Sequence, residues 1–206
     1  MISLLKMHFY LSRKLFITAL IFILGLLATQ WIILKEINLG FLTLYFLTLT
    51  PVFGISYLLE NHFIKQMRVM PIAPKDFVKS LFIFSLIQIL VILIPIGIYQ
   101  TVLYMDNEIG AFELSFLVIF FTAGIASIGS LLKNYLSNPS KGTRSISLWS
   151  IFGYFLLFTF IHLLIMLILS IMDIKLLGAT ILPIVGLIVY YKHYKTAVTK
   201  FMTAEF

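Results

Sequence analysis

Few residues in this 206-residue chain have the chemistry for catalysis, and their arrangement supports none. The chain has no cysteine, which excludes thiol catalysis, disulfides and thiolate metal sites. It has no His-Glu-x-x-His pair, no Gly-x-Ser-x-Gly elbow and no pair of carboxylates within an apolar run. Residues 124–130 carry two glycines at nearly phosphate-loop spacing, but no lysine follows and the stretch is itself apolar. The expectation is therefore no catalytic residue, no metal ligands and no cofactor bound by this chain: it is not an enzyme, and it cannot hydrolyse a nucleotide itself.

The remaining polar groups in apolar surroundings are His162 and the amides Gln30, Gln88 and Gln100. His162 is the one titratable residue well inside an apolar run, and such a residue raises a functional hypothesis by default. A neutral imidazole bonded to a neighbouring helix is the alternative. Each glutamine can make an interhelical hydrogen bond of roughly 1 kcal/mol. No carboxylate lies inside an apolar run, which argues against a proton-driven transporter or pump acting alone. Pro51 with Gly54, Pro95 with Gly97, and Pro183 with Gly178 and Gly186 mark kinks within helices.

The elements that position these groups follow from composition. Hydrophobic residues make up 61% of the chain and charged residues 11%, against about 25% charged in a typical soluble domain. Such a chain cannot cover its apolar surface and belongs in a membrane. Six apolar runs, at 15–34, 37–59, 81–105, 114–132, 146–172 and 176–191, contain no charge. A membrane helix needs about 20 residues, so the sixth run is short, although Tyr190, Tyr191 and Lys192 anchor it at an interface. Core helices of a soluble bundle would keep a polar face, and these do not. No cleavage site follows the first run, so no cleavable signal is expected. The fold class is all-α: a polytopic membrane protein of six transmembrane helices forming one domain, with no soluble domain and no internal repeat.

Residues 1–14 precede the first run. On a helix, Ser3, Lys6, Tyr10, Arg13 and Lys14 share a narrow arc, and Met1, Ile2, Leu4, Leu5, Met7, Phe9 and Leu11 cover the rest. The pattern predicts an interfacial amphipathic helix in the headgroup layer. With the N-terminus in the cytoplasm, 13 of the 15 Lys and Arg residues fall inside, and only Lys35 and Lys175 outside. Both ends are then cytoplasmic and the localisation is the cell membrane. The net charge of +7 is explained by this bias, and no nucleic-acid partner is needed. In the fourth run, Ala123, Gly124, Ser127, Gly129 and Ser130 form a small-residue surface, suited either to packing within the chain or to another subunit.

The longest polar interruption is residues 60–80. Phe63, Ile64, Met67 and Met70 fall on one side of a helix. Asn61, His62, Lys65, Gln66 and Arg68 fall on the other, with Val69 the exception. Pro71 ends this helix, and Pro74 can begin the next with Asp76 in its first turn. The pattern is a helix–elbow–helix between the second and third spans. Residues 133–145 form the other long inner loop, with Asn138-Pro139 and Gly142 as turn signals.

Taken together, the chain resembles the six-span permease subunits of ABC-2-type ABC transporters, and among them the permeases of phenol-soluble-modulin exporters. The resemblance rests on the amphipathic lead, six spans with both ends inside, and the loop after the second span. Many such permeases carry an early acidic residue there, then a Leu-Pro-Val-Ser-Arg-like elbow, an acidic residue, an aliphatic pair and a Lys. Here the early acid is Glu60 and the elbow reads Met70-Pro71-Ile72-Ala73-Pro74-Lys75, followed by Asp76, Phe77, Val78 and Lys79. Met70 stands for Leu and Pro74 for the usual basic residue.

The resemblance implies that residues 60–70 are a cytoplasmic coupling helix seated on an ABC ATPase, with the elbow 71–74 passing motion into the third span. The coupling residues would be Glu60, Phe63, Ile64, Lys65, Met67, Arg68, Met70, Pro71, Pro74 and Asp76. A helix resting on lipid is the alternative. The resemblance further implies a second permease chain, identical or related, ATP and Mg on the partner ATPases, and amphipathic peptides as cargo. Gln88, Pro95 and His162 are the candidates to line a path. An apolar, aromatic path fits a hydrophobic or amphipathic peptide better than an ion or sugar, and short outer loops suit export. A second class of function also fits: a non-transporting scaffold or immunity protein that shields the cell from a toxic peptide.

Overall fold

The structure, a computed structural model, describes residues 2–34, 72–106, 111–137 and 175–203, with isolated helical positions between 153 and 168. All regular structure among these residues is helical: α1 (Ile2–Leu34), α2 (Pro74–Met105), α3 (Ala111–Ser137) and α4 (Lys175–Thr203). By length and composition, Pro74–Met105 and Leu117–Ser137 are long and apolar enough to cross a membrane. The expected second span, most of the fifth, and the coupling helix lie outside the described residues.

Local chemistry sets the helix limits. Ala73 is extended (φ −62°, ψ 128°), and Pro74 follows at the first helical position, where its missing N–H costs nothing. The Asp76 and Phe77 amides donate to the Ala73 carbonyl at 2.9 and 3.2 Å. The helix therefore starts where the proline placement predicts, and residues 74–80 and the third run are one rod. Pro95 and Pro183 lie inside α2 and α4, which continue through them. Ser and Thr hydroxyls fold back on their own helix: Ser85 onto the Leu81 carbonyl (2.6 Å), Thr101 onto Gly97 (2.7 Å) and Thr122 onto Val118 (2.8 Å).

Two expected boundaries are corrected. Residues 1–14 are not a separate interfacial helix; they form the first turns of the 33-residue α1, since no proline or glycine interrupts the backbone ladder before the first span. The sixth run does not end its helix: it lies in a 29-residue helix that continues past residue 191 to Thr203.

α3 is the centre of the described bundle, and every residue from 122 to 132 is buried. Its two close approaches to α4 depend on glycine. A β-carbon on Gly186 would lie 2.8 Å from Thr122 Cγ2, and one on Gly129 would lie 2.8 Å from the Tyr190 ring. Pairing 122 with 186 and 129 with 190 makes α3 and α4 parallel. α2 runs opposite to α4, because Phe77 meets Phe201 at 5.9 Å while Phe82 meets Tyr190 at 5.1 Å. The Tyr190 hydroxyl also donates to the Phe82 carbonyl, which ties α2 to α4. The small-residue surface of α3 is thus used within the chain: Ala123 is in a core cluster and Gly129 receives α4. The outer side of α2 carries an exposed apolar stripe of Ile87, Val91, Ile94, Ile98 and Val102.

Candidate functional site

Of the predicted coupling residues, Glu60, Phe63, Ile64, Lys65, Met67, Arg68, Met70 and Pro71 lie outside the described residues, as does His162. Pro74 and Asp76 are exposed in the first turn of α2, open to anything seated below the bundle. The two described path candidates, Gln88 and Pro95, do not lie on the same side of α2. Gln88 is buried inside the bundle, whereas Pro95 is exposed on its outer side. The Gln88 and Gln100 amide oxygens are buried with no hydrogen-bond partner among the described residues.

What the structure assembles lies immediately after the elbow. Three helix ends meet there: the start of α1, the start of α2 and the end of α4. Leu4, His8 and Ser12 form the buried stripe of α1, one residue per turn. His8 Nε2 lies 2.8 Å from Ser80 Oγ, and Ser80 Oγ donates in turn to the Phe77 carbonyl at 2.8 Å. A hydroxyl has one proton, so with Ser80 donating onward, Nε2 carries the hydrogen and the imidazole is the neutral Nε2–H tautomer. The imidazole also lies against the Phe77 and Phe84 rings, with centroids at 6.0 and 5.6 Å. Ser12 donates to the His8 carbonyl at 2.8 Å.

On the other side of α2, Phe77 meets Phe201, so this residue, 1% exposed, is held between α1 and α4. The elbow thus feeds into a clamped helix start. A displacement of Pro74 and Asp76 must move α1 and α4 or break this packing. Phe77, with the His8–Ser80 and Phe82–Tyr190 contacts, packs α1, α2 and α4 together at this end of the bundle. Among the described residues no group of three or more His, Asp or Glu side chains is placed to hold a metal ion.

Sequence reasoning placed the helix start at Pro74 and missed the clamp. The signal was present in α1: His8 and Ser12 are two polar residues four apart, opposite the basic arc. Polar side chains placed that way must find partners when the face is buried. The pattern does not name Ser80 as the partner.

Burial pushes the His8 pKa down from 6.5 to about 4. His193, on α4 beyond the sixth run, is pushed down to about 4 by burial and then by the nearby Lys133 ammonium. Between those values the unfolded chain binds protons that the folded chain refuses. Their contribution is intact above about pH 6.5 and is lost as the pH falls toward 4. Melting temperature should fall across that window, less steeply in His8→Asn and least in H8N/H193N. An undiminished slope in the double variant would mean that other groups set the acid sensitivity.

Comparison with protein-family models, curated proteins and solved structures finds no match to this chain. The functional reading therefore rests on the residues themselves.

Proposed function

We propose that the chain is the permease subunit of an ATP-driven ABC exporter for a hydrophobic or amphipathic peptide. The observation that carries this reading is the clamp on Phe77: the helix that follows the elbow is gripped at its first turn by α1 and α4. A loop that only rested on lipid would need no such grip. A loop pushed by a partner would need one, because force entering at residues 60–74 must reach the spans without being absorbed by a soft joint.

In this reading the chain crosses the membrane six times with both ends cytoplasmic. α3 and α4 are parallel, so residues 138–174 have to lead from one end of the bundle back to the other. These 37 residues contain the fifth apolar run, long enough for one crossing. In the proposed cycle two permease chains, identical or related, enclose the path. ATP and Mg bind to two separate ATPase subunits docked on the coupling loops. Nucleotide-driven closure of the ATPases moves residues 60–70, and the clamp passes this motion to α1 and α4.

Copurification from native membranes under mild detergent tests the reading. An ABC ATPase should accompany the chain and be lost on Lys65→Glu with Arg68→Glu, with export falling to background. Absence of any ATPase, or intact export and association in the charge-reversed variant, would remove the coupling assignment. The shielding reading would then take its place.

A further inference from the structure

We propose that the outer face of α1 is a binding site for a phospholipid with an anionic headgroup, held by Arg13 and Lys14. The face opposite the His8 stripe changes character along its length. Its first turns present Lys6, Tyr10, Arg13 and Lys14, all exposed. The same face continues, at helical spacings, as Ile17, Ile21 and Ile32, exposed by 53, 64 and 76%. Cations thus give way to isoleucines within one turn, between Lys14 and Ile17.

A soluble acidic partner would need no apolar continuation, and a neutral acyl surface would need no cations. A lipid needs both, in this order. Lys14 and Ile32 are about 27 Å apart along the axis, close to the ~30 Å thickness of a hydrocarbon core. Arg13 and Lys14 then sit at headgroup level with the isoleucines along the chains. The Arg13 guanidinium lies 4.1 Å from the centroid of the Tyr10 ring. That stacking orients the fork beside an aromatic ring suited to the interface. The cations have few acidic neighbours on this helix, since α1 contains no Asp or Glu. The proposal rests on the chain's contact with a bilayer and is independent of export.

The full chain in detergent is titrated with phosphatidylglycerol or phosphatidylcholine of equal acyl length, and bound lipid is read by native mass spectrometry. Phosphatidylglycerol should bind more tightly. At about five-fold per cation near an anionic headgroup, R13Q/K14Q should lower its affinity roughly 30-fold, toward that of phosphatidylcholine. Both residues are exposed, so the variant keeps the fold. Removing the same charge on α4, K195Q/K200Q, should change the affinity by no more than about two-fold, because these side chains are not on the α1 face that holds the headgroup. Equal binding of the two lipids overturns the proposal. So does equal loss in the two charge variants, which would indicate a diffuse field rather than a site. Full competition by glycerol phosphate would also overturn it, in favour of a free phosphate anion.

Discussion

Phe77→Ala should lower the stability of the solubilised protein by about 3–5 kcal/mol, the usual cost of truncating a fully buried phenylalanine. In a chain of this size that corresponds to a fall in melting temperature of roughly 6–20 °C. Phe77 contributes no polar side-chain group, so the effect is lost packing, including that against the His8 and Phe201 rings, and the cavity left in this core cluster. Phe77→Leu fills most of that volume and should recover most of the loss. The functional arm follows from the proposed coupling. Association with an ATPase through residues 60–70 should survive in Phe77→Ala, while export falls, because force then reaches a loosened helix start. A melting temperature equal to that of the parent would show that Phe77 is not packed between α1 and α4. Export lost together with ATPase association would place the defect in folding rather than coupling.

Gly186→Val should separate α3 from α4 and cost about 3 kcal/mol, near the upper end for overpacking. Its branched side chain meets not only the Thr122 methyl at 2.8 Å but the Thr122 α-carbon at 3.3 Å. A methyl can turn aside; a backbone atom at the centre of α3 cannot. Gly186→Ala should cost less, because alanine regains about 1 kcal/mol of helix propensity that offsets part of the clash. The clash itself can be isolated. Thr122→Ser removes the obstructing methyl and keeps the hydroxyl that bonds the Val118 carbonyl. In a double-mutant cycle measured by thermal melts, G186A/T122S should be more stable than the two single changes add up to. Strict additivity would mean that the helices do not meet at this pair.

Much of the architecture is legible in the residues, because it depends on local or compositional terms. Long apolar runs without proline or glycine breaks at their starts favour helices, whose backbone groups bond within the segment, and all regular structure among the described residues is helical. Pro74 starts α2 because a proline tolerates no earlier helical neighbour in its register and needs no partner for a missing N–H. The directions of the described helices come from their ring contacts: α2 runs antiparallel to α4.

Other features needed the fold. Whether residues 1–14 lie flat or continue into the span is a question of one backbone joint, and no single residue there forbids either. Gln88 and Pro95 look alike as interruptions in an apolar run, yet one is buried and the other exposed, because rotation about the α2 axis is set by what α3 and α4 present to it. The fourth run announced a small-residue face without saying which helix it receives; the contact with Gly186 and Tyr190 was decided by α4. The same holds for His8. Its position opposite the basic arc already required a buried partner, but Ser80 is 72 residues away and identified only by packing. Periodicity determines which residues share a face of a helix. It carries no information about which other face that one will meet, and in this protein the clamp at the elbow exists only in that second choice.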